Sequence, residues 1–156
     1  MTLSSPQQTG CESALDLPPP VCPRKRLVLV SAAALVDPDG RVLLTCRPPG
    51  KPMAGLWEFL GGKMEAGESP EYALMRELSE ELGIETRPCC FAPGGVASYA
   101  YDDFHLLMPL FICRVWRGDP APREGQSLRW VFPRDMYDLP MPPADIPLVT
   151  QLEQML

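Results

Sequence analysis

Residues 61–84 read GGKMEAGESPEYALMRELSEELGI, and the second half of this stretch carries denser chemistry than any other part of the chain. Ser69 is suited to a helix N-cap and Pro70 to a first helical position, while Gly83 supplies the left-handed residue that ends a helix after Leu82. These signals predict a loop over Gly61–Gly62 and the residues that follow, then about thirteen helical residues. Leu74, Leu78 and Leu82 recur every fourth residue with Met75 beside them, so one stripe of that helix faces a core.

Glu77, Glu80 and Glu81 lie off that stripe, within roughly one quadrant of the helix at about 100° per residue. Like charges three and four residues apart repel by a few tenths of a kcal/mol per pair, so the grouping calls for a cation to offset it. Arg76 and Lys63 are the basic side chains nearest in sequence. A hard divalent ion that binds carboxylate oxygens, magnesium above all, matches three carboxylates better. The alternative is an ordinary solvated acidic face.

The wider spacing decides between them. Gly62, five residues, Glu68, seven residues, then Arg76-Glu77-Leu78-Ser79-Glu80-Glu81-Leu82-Gly83-Ile84 fills every fixed position of the Nudix box. The sequence therefore resembles the Nudix hydrolases, and residues 53–84 resemble the MutT-type branch. Weaker echoes follow at Glu124-Gly125-Gln126 and at Pro142-Pro143-Ala144-Asp145. The resemblance implies an α/β/α sandwich around a mixed central sheet. It further implies a Mg-dependent pyrophosphohydrolase, with Mn as a substitute, that splits a nucleoside triphosphate into monophosphate and pyrophosphate. Oxidised dGTP (8-oxo-dGTP) is the expected substrate, in a role of nucleotide-pool sanitation and DNA repair. CTP or 5-methyl-dCTP is the rival within the enzyme class, and a non-catalytic MutT-like module that reads DNA is the rival outside it.

Carried over position by position, Glu77, Glu80 and Glu81 are the implied metal ligands, and one of them or a neighbouring glutamate is the general base. Gly62 allows close backbone approach and can add a backbone ligand, while Arg76 holds Glu68 and nearby carboxylates in place. Glu124 matches a loop glutamate that adds a ligand or base, against the plainer reading of an exposed loop charge. Arg47 matches a phosphate-contacting arginine. Asp145 falls where the base edge is read, but it also stands where an aspartate would cap the last helix. An ionised carboxylate accepts hydrogen bonds without donating, which favours a base edge rich in N–H groups, such as the N7–H of 8-oxoguanine or the amine of cytosine. Two positions depart from the MutT-type pattern: Leu60 replaces a usual proline, and Phe104 stands where some relatives carry a basic residue. If the backbone at Leu60 suits proline, Leu60→Pro is expected to stabilise the fold.

A chain of 156 residues accommodates one domain with a substantial core. A net charge of −6 disfavours a surface made for duplex DNA or an anionic membrane. The expected partner is thus the nucleoside triphosphate, with no stable nucleic acid or membrane partner, and with a monomer or weak homodimer as the assembly state. The six cysteines form no C-x-x-C pair, and His105 is the one histidine, so a zinc site is not expected. Reduced cysteines inside apolar runs, with no signal peptide or membrane-length segment, fit a cytoplasmic protein.

Residues 1–23, rich in Ser, Gln, Thr and Pro, read as a disordered tail, and residues 24–156 as the Nudix domain. Leu27–Val36, Asp37-Pro38-Asp39-Gly40 and Arg41–Cys46 predict a hairpin. Leu56–Phe59 predicts a short strand, and Thr86–Phe91 and Val96–Tyr101 two more. Phe104–Trp116 predicts a major strand, with an edge or bulge at Pro109. Leu128–Phe132 adds a strand, Pro133–Leu139 a helical turn, and Leu148–Leu156 a closing helix. The three tryptophans read as core residues and His105 as structural.

Overall fold

A computed structural model describes residues 11–156. Its elements are β1 (Arg26–Leu35), β2 (Val42–Cys46), β3 (Trp57–Glu58), β4 (Leu60–Lys63), α1 (Pro70–Leu82), β5 (Phe91–Ala100), β6 (Phe104–Cys113), β7 (Ser127–Val131) and α2 (Ile146–Met155), with 3₁₀ turns at Pro88–Cys90 and Pro133–Asp138. A four-stranded mixed sheet runs in the order β4-β1-β6-β5, and a three-stranded antiparallel sheet in the order β3-β2-β7.

From Ser31 to Leu35 both faces of β1 are covered, whereas Leu27 and Leu29 in its first half are exposed. Ala33 and Leu35 point to one side, where Leu74, Leu78 and Leu82 of α1 meet Leu60, Phe111 and Cys113. Ala32 and Ala34 point to the other, against Leu148, Val149 and Leu152 of α2. Helix, sheet and helix therefore form the expected α/β/α layers, and the small residues of β1 let the layers approach closely. At about 25 cal/mol per Å² of apolar surface, each fully buried leucine in these two clusters contributes about 2 kcal/mol.

Helix α1 spans the thirteen residues that the sequence predicts. The Ser69 hydroxyl accepts the Tyr72 N–H at 3.4 Å, and Gly83 closes the helix at φ 70°. Ser31 of β1 donates its hydroxyl to the Pro70 carbonyl at 3.1 Å, pinning the helix start to the sheet.

Several expectations are corrected. Gly61–Gly62 is strand, not loop: β4 pairs antiparallel with β1, Ser31 opposite Gly62 and Ala32 opposite Gly61. A Cβ on Gly61 would overlap the Ser31 carbonyl oxygen, and its φ of 133° is open only to glycine, so the strand exists because the side chain is absent. The turn at Asp37–Gly40 forms, but only Val36 and Val42 pair across it, since β1 and β2 diverge into different sheets. Residues 91–100 form one strand, bulged between Pro93 and Gly95, and residues 86–90 are not strand. Pro109 lies in a central strand, not at an edge. The β1–β6 register there skips from Leu29↔Leu107 to Ala32↔Leu110, beside a residue with no N–H to donate.

The tail expected over residues 1–23 falls partly outside the described residues. Residues 11–24 are exposed and include a helical turn at 11–14 that composition did not predict. Among the described residues no helix is long and apolar enough to cross a membrane.

Candidate active site

Arg76, in the middle of α1, organises the box. Its Nε and Nη2 donate to the two Glu68 carboxylate oxygens at 2.9 and 2.8 Å, and its Nη1 donates to Glu77 at 2.8 Å. Glu65 and Glu80 lie at 3.8 and 3.7 Å. The guanidinium thus partly offsets the carboxylate repulsion that the sequence leaves unanswered. The two-pronged grip, reinforced by the Glu65 N–H, holds the Glu68 carboxyl down at about 2.

The three box glutamates take different positions. A Cβ on Gly62 would come within 2.7 Å of the Glu77 carboxylate, so the missing side chain is the space that carboxylate occupies. Glu80 is more than half exposed and turned toward Arg76. Glu81 is drawn inward: burial raises its pKa, and contact with Glu77, followed by the charges of Glu124 and Glu58, raises it further. Glu81 and Glu77 thus stand close together with like charge, an arrangement that favours a cation between them. An all-oxygen anionic pair of this kind suits a hard divalent ion. Among the described residues no three His, Cys, Asp or Glu side chains are yet gathered tightly enough to hold one ion.

Beside this cluster lies a cavity of ≈ 510 Å³ lined by Arg47, Lys51, Glu58, Glu81, Glu124 and Gln126. A second cavity, ≈ 410 Å³ and mostly apolar, is lined by Val28, Met53, Tyr101, Phe104, Leu106 and Asp145 among others, and it shares Arg47 and Glu58 with the first. Arg47 Nε donates to Glu58 at 2.7 Å and Nη1 to the Pro52 carbonyl at 3.2 Å, so the arginine is fixed at the junction. Tyr101 and Phe104 stack at 4.9 Å, giving the second cavity an aromatic wall.

Asp145 precedes α2 but caps nothing. Its backbone is already helical, at φ −81° and ψ −28°, and its side chain makes no cap bond. The carboxylate instead accepts the Phe59 N–H at 3.1 Å, in a residue only 5 % exposed. Burial pushes its pKa up to about 7, the Phe59 bond opposes this, and the charge of Glu58 adds to the rise.

The structure therefore gathers Glu77, Glu81, Glu124 and Gly62 at one end, Asp145 at the other, and Arg47 between. Glu68 and Arg76 form the brace outside, and Glu80 sits at the solvent edge. Glu58 was not singled out from the sequence, although a charge inside the apolar run Leu56–Phe59 is a signal that could have found it. Burial raises its pKa against the pull of Arg47. His105 hydrogen-bonds Ser98 at 2.7 Å, a structural contact. Trp116 stacks on Trp130 with 6.1 Å between ring centroids, and both pack on the α1-side core.

Comparison with known proteins gives a consistent result. A model of the NUDIX domain matches residues 31–151. The chain is 41% identical over 119 residues to the CTP pyrophosphohydrolase of Escherichia coli, covering 75% of this chain and 85% of that one. It is 31% identical over 126 residues to the 8-oxo-dGTP diphosphatase of Escherichia coli, covering 81% and 96%. Among solved structures, the E. coli ORF135 protein superposes with a TM-score of 0.73 at 34% identity, covering 84% of this chain and 91% of that one. MutT proteins studied from Aliivibrio salmonicida and Vibrio cholerae give a TM-score of 0.66 at 32% identity, covering 84% and 100%.

Proposed function

The chain belongs to the Nudix family as a pyrophosphohydrolase, and from that premise we propose that it hydrolyses a nucleoside triphosphate to the monophosphate and pyrophosphate, reading the base with Asp145. One observation carries this: an acidic cluster lines one cavity and the buried Asp145 carboxylate the other, and the two cavities are joined through Arg47 and Glu58. That spacing suits a substrate with phosphates at one end and a planar ring at the other.

Nudix hydrolases use a divalent metal, and here Glu77, Glu80 and Glu81, with the Gly62 backbone, would hold magnesium or manganese. Such an ion supplies charge neutralisation at the diphosphate and a more acidic water. Arg47, at the junction of the two cavities, would contact phosphate. The proton of the attacking water is accepted within the group of Glu77, Glu81 and Glu124. Arg76 and Glu68 keep that group oriented without touching substrate. The Tyr101–Phe104 wall offers a stacking surface for the base, and Asp145 takes an N–H from its edge.

The base we assign is 8-oxoguanine, whose N7–H is absent from guanine. Cytosine is the second reading, favoured by the 41% identity to a CTP pyrophosphohydrolase and by the amine that cytosine would present to the same carboxylate. A panel of oxidised, methylated and ordinary nucleoside triphosphates, dinucleoside polyphosphates and ADP-ribose, scored for released phosphate or pyrophosphate, tests the proposal. Turnover of 8-oxo-dGTP or cytosine triphosphates in magnesium, lost in chelator, supports it. Retention of duplex DNA with no hydrolysis of any compound would favour a DNA-reading module instead.

A further inference from the structure

Glu124 sits in a segment that is neither helix nor strand, and residues 121–125 are all exposed. Nothing in its own conformation aims a side chain at Glu81. The segment is instead docked on the C-terminal end of α1, whose last carbonyls have no partner within the helix. The Ala121 N–H donates to the Leu82 carbonyl at 3.1 Å, and the Arg123 N–H to the Glu81 carbonyl at 3.0 Å. Gln126 is the exception to the exposure around it, being only 9% exposed. Its Nε2 donates to that same Glu81 carbonyl at 2.9 Å, while its Oε1 accepts the Glu124 N–H at 2.7 Å.

We propose that Gln126 is a positioning residue for Glu124, one planar amide tying the Glu124 backbone to the Glu81 backbone so that the two carboxylates face the same space. The inference rests on the pyrophosphohydrolase reading of this cluster. The amide suits the task because it donates from one end and accepts from the other at fixed separation. Both of its partners are backbone groups, so the bridge sets where Glu124 stands without adding charge beside the carboxylates. The Ala121 and Arg123 anchors lie before Glu124 in the chain. On the far side Gln126 holds the Glu124 backbone, immediately before β7 begins to pair with β2 at Ser127.

Gln126→Met fills the same volume and removes both bonds, and the Ala121 and Arg123 anchors keep the loop on the helix. Residues that orient metal-site carboxylates typically cost 10–100-fold when removed. Gln126→Met should therefore lower kcat by about 10–100-fold while KM for the nucleotide changes by less than about twofold, because both polar ends of the amide, though it lines the cavity, are engaged by backbone groups and not offered to substrate. In a Glu124→Gln background the same change should cost less than about threefold, since the residue acts through Glu124. An equal loss in both backgrounds, or native kcat in Gln126→Met, overturns the inference.

Two readouts do not depend on turnover. Mn²⁺ titration of the substrate-free protein, followed by EPR, should show Gln126→Met and Glu124→Gln weakening binding alike. Amide exchange at Glu124 should accelerate in Gln126→Met while that at Arg123 stays slow. Weakened binding in Glu124→Gln alone, or an unchanged Glu124 amide, overturns the bridge even if the enzyme is fully active. If instead no triphosphate is cleaved while both readouts shift as expected, the substrate reading fails and the bridge stands.

Discussion

Glu68 and Asp145 are both carboxylates held by hydrogen bonds, one at each end of the site, and their surroundings drive them in opposite directions. Glu68 receives two guanidinium N–H groups from Arg76 and the backbone N–H of Glu65, and its carboxyl is held at about 2. Asp145 receives one backbone N–H, from Phe59, and makes no ion pair among the described residues; burial lifts it to about 7. The difference teaches what each is for. A carboxylate locked to an arginine is braced and cannot respond to substrate, whereas a buried carboxylate with spare acceptor capacity is costly to maintain and leaves an unmet demand for a donor. The first kind of environment positions catalytic groups and the second discriminates between ligands.

The cluster that Glu68 and Arg76 brace should give the largest effect. Glu81→Gln removes the carboxylate that faces both Glu77 and Glu124, and turnover should fall by about two to four orders of magnitude. Folding should be preserved, because Glu81 contributes charge and not apolar packing. Steady-state rates with magnesium, together with a thermal melt, check this; near-native turnover would remove Glu81 from the machinery.

Leu60 comes next, and here the structure reverses the stabilisation considered from sequence. Leu60 is fully buried against α1 and pairs with Ala33 in β4. Leu60→Pro deletes much of that side chain, and comparable large-to-small core changes cost about 2–5 kcal/mol. The melting temperature should drop, as a thermal melt would show. A rise in melting temperature would mean that the strand tolerates proline and the core closes over the gap.

Asp145→Ala probes the other member of the pair. It leaves the Phe59 N–H without its acceptor and removes the carboxylate from the apolar cavity. A buried unsatisfied group costs about 1–3 kcal/mol, so the preference among bases should flatten by about one to two orders of magnitude, mainly through KM. Stability falls by a similar energy for a different reason, the orphaned amide. Unchanged ratios of kcat/KM across the substrate panel would leave Asp145 a purely structural acceptor.

The two ends also differ in how they are written in the chain. The brace was legible because its members are local: Ser69, Pro70 and Gly83 fix the helix, and the spacing of Glu68, Arg76, Glu77, Glu80 and Glu81 does the rest. The Asp145–Phe59 contact spans 86 residues and joins a proline-rich segment to a strand end, so no periodicity signals it. Proximity to α2 suggested a cap, and only the backbone angles show otherwise. Glu58 offers one cue, a single charge in an apolar run, but no spacing that ties it to the box. Gly61 and Gly62 misled in the other direction: glycine is poor in strands by propensity, yet here close packing against Ser31 and Glu77 requires it.

The pH dependence of stability sets the two carboxylates directly against each other, with smaller effects. For Asp145, the unfolded chain releases its proton near 3.8 while the folded one keeps it until about 7. Between those values the folded state binds more protons, so this group lowers stability as pH rises through the window. For Glu68 the order is reversed: the folded carboxyl stays ionised down to about 2 while the unfolded one protonates near 4.5, so its contribution is complete above 4.5 and is lost as pH falls toward 2. Asp145→Asn keeps an acceptor for the Phe59 N–H but cannot ionise, so its melting temperature should gain on the parent as pH climbs from 4 to 7. Glu68→Gln should instead lose ground above 4.5 and converge with the parent in acid. The Glu68 effect should be the weaker, because Arg76 retains Glu77, Glu80 and Glu65 as partners when Glu68 is neutral. Melting temperatures of the three proteins from pH 2 to 8, taken as differences from the parent, isolate both terms. Two curves sloping the same way would mean that the carboxylates do not sit in the contrasting environments described above.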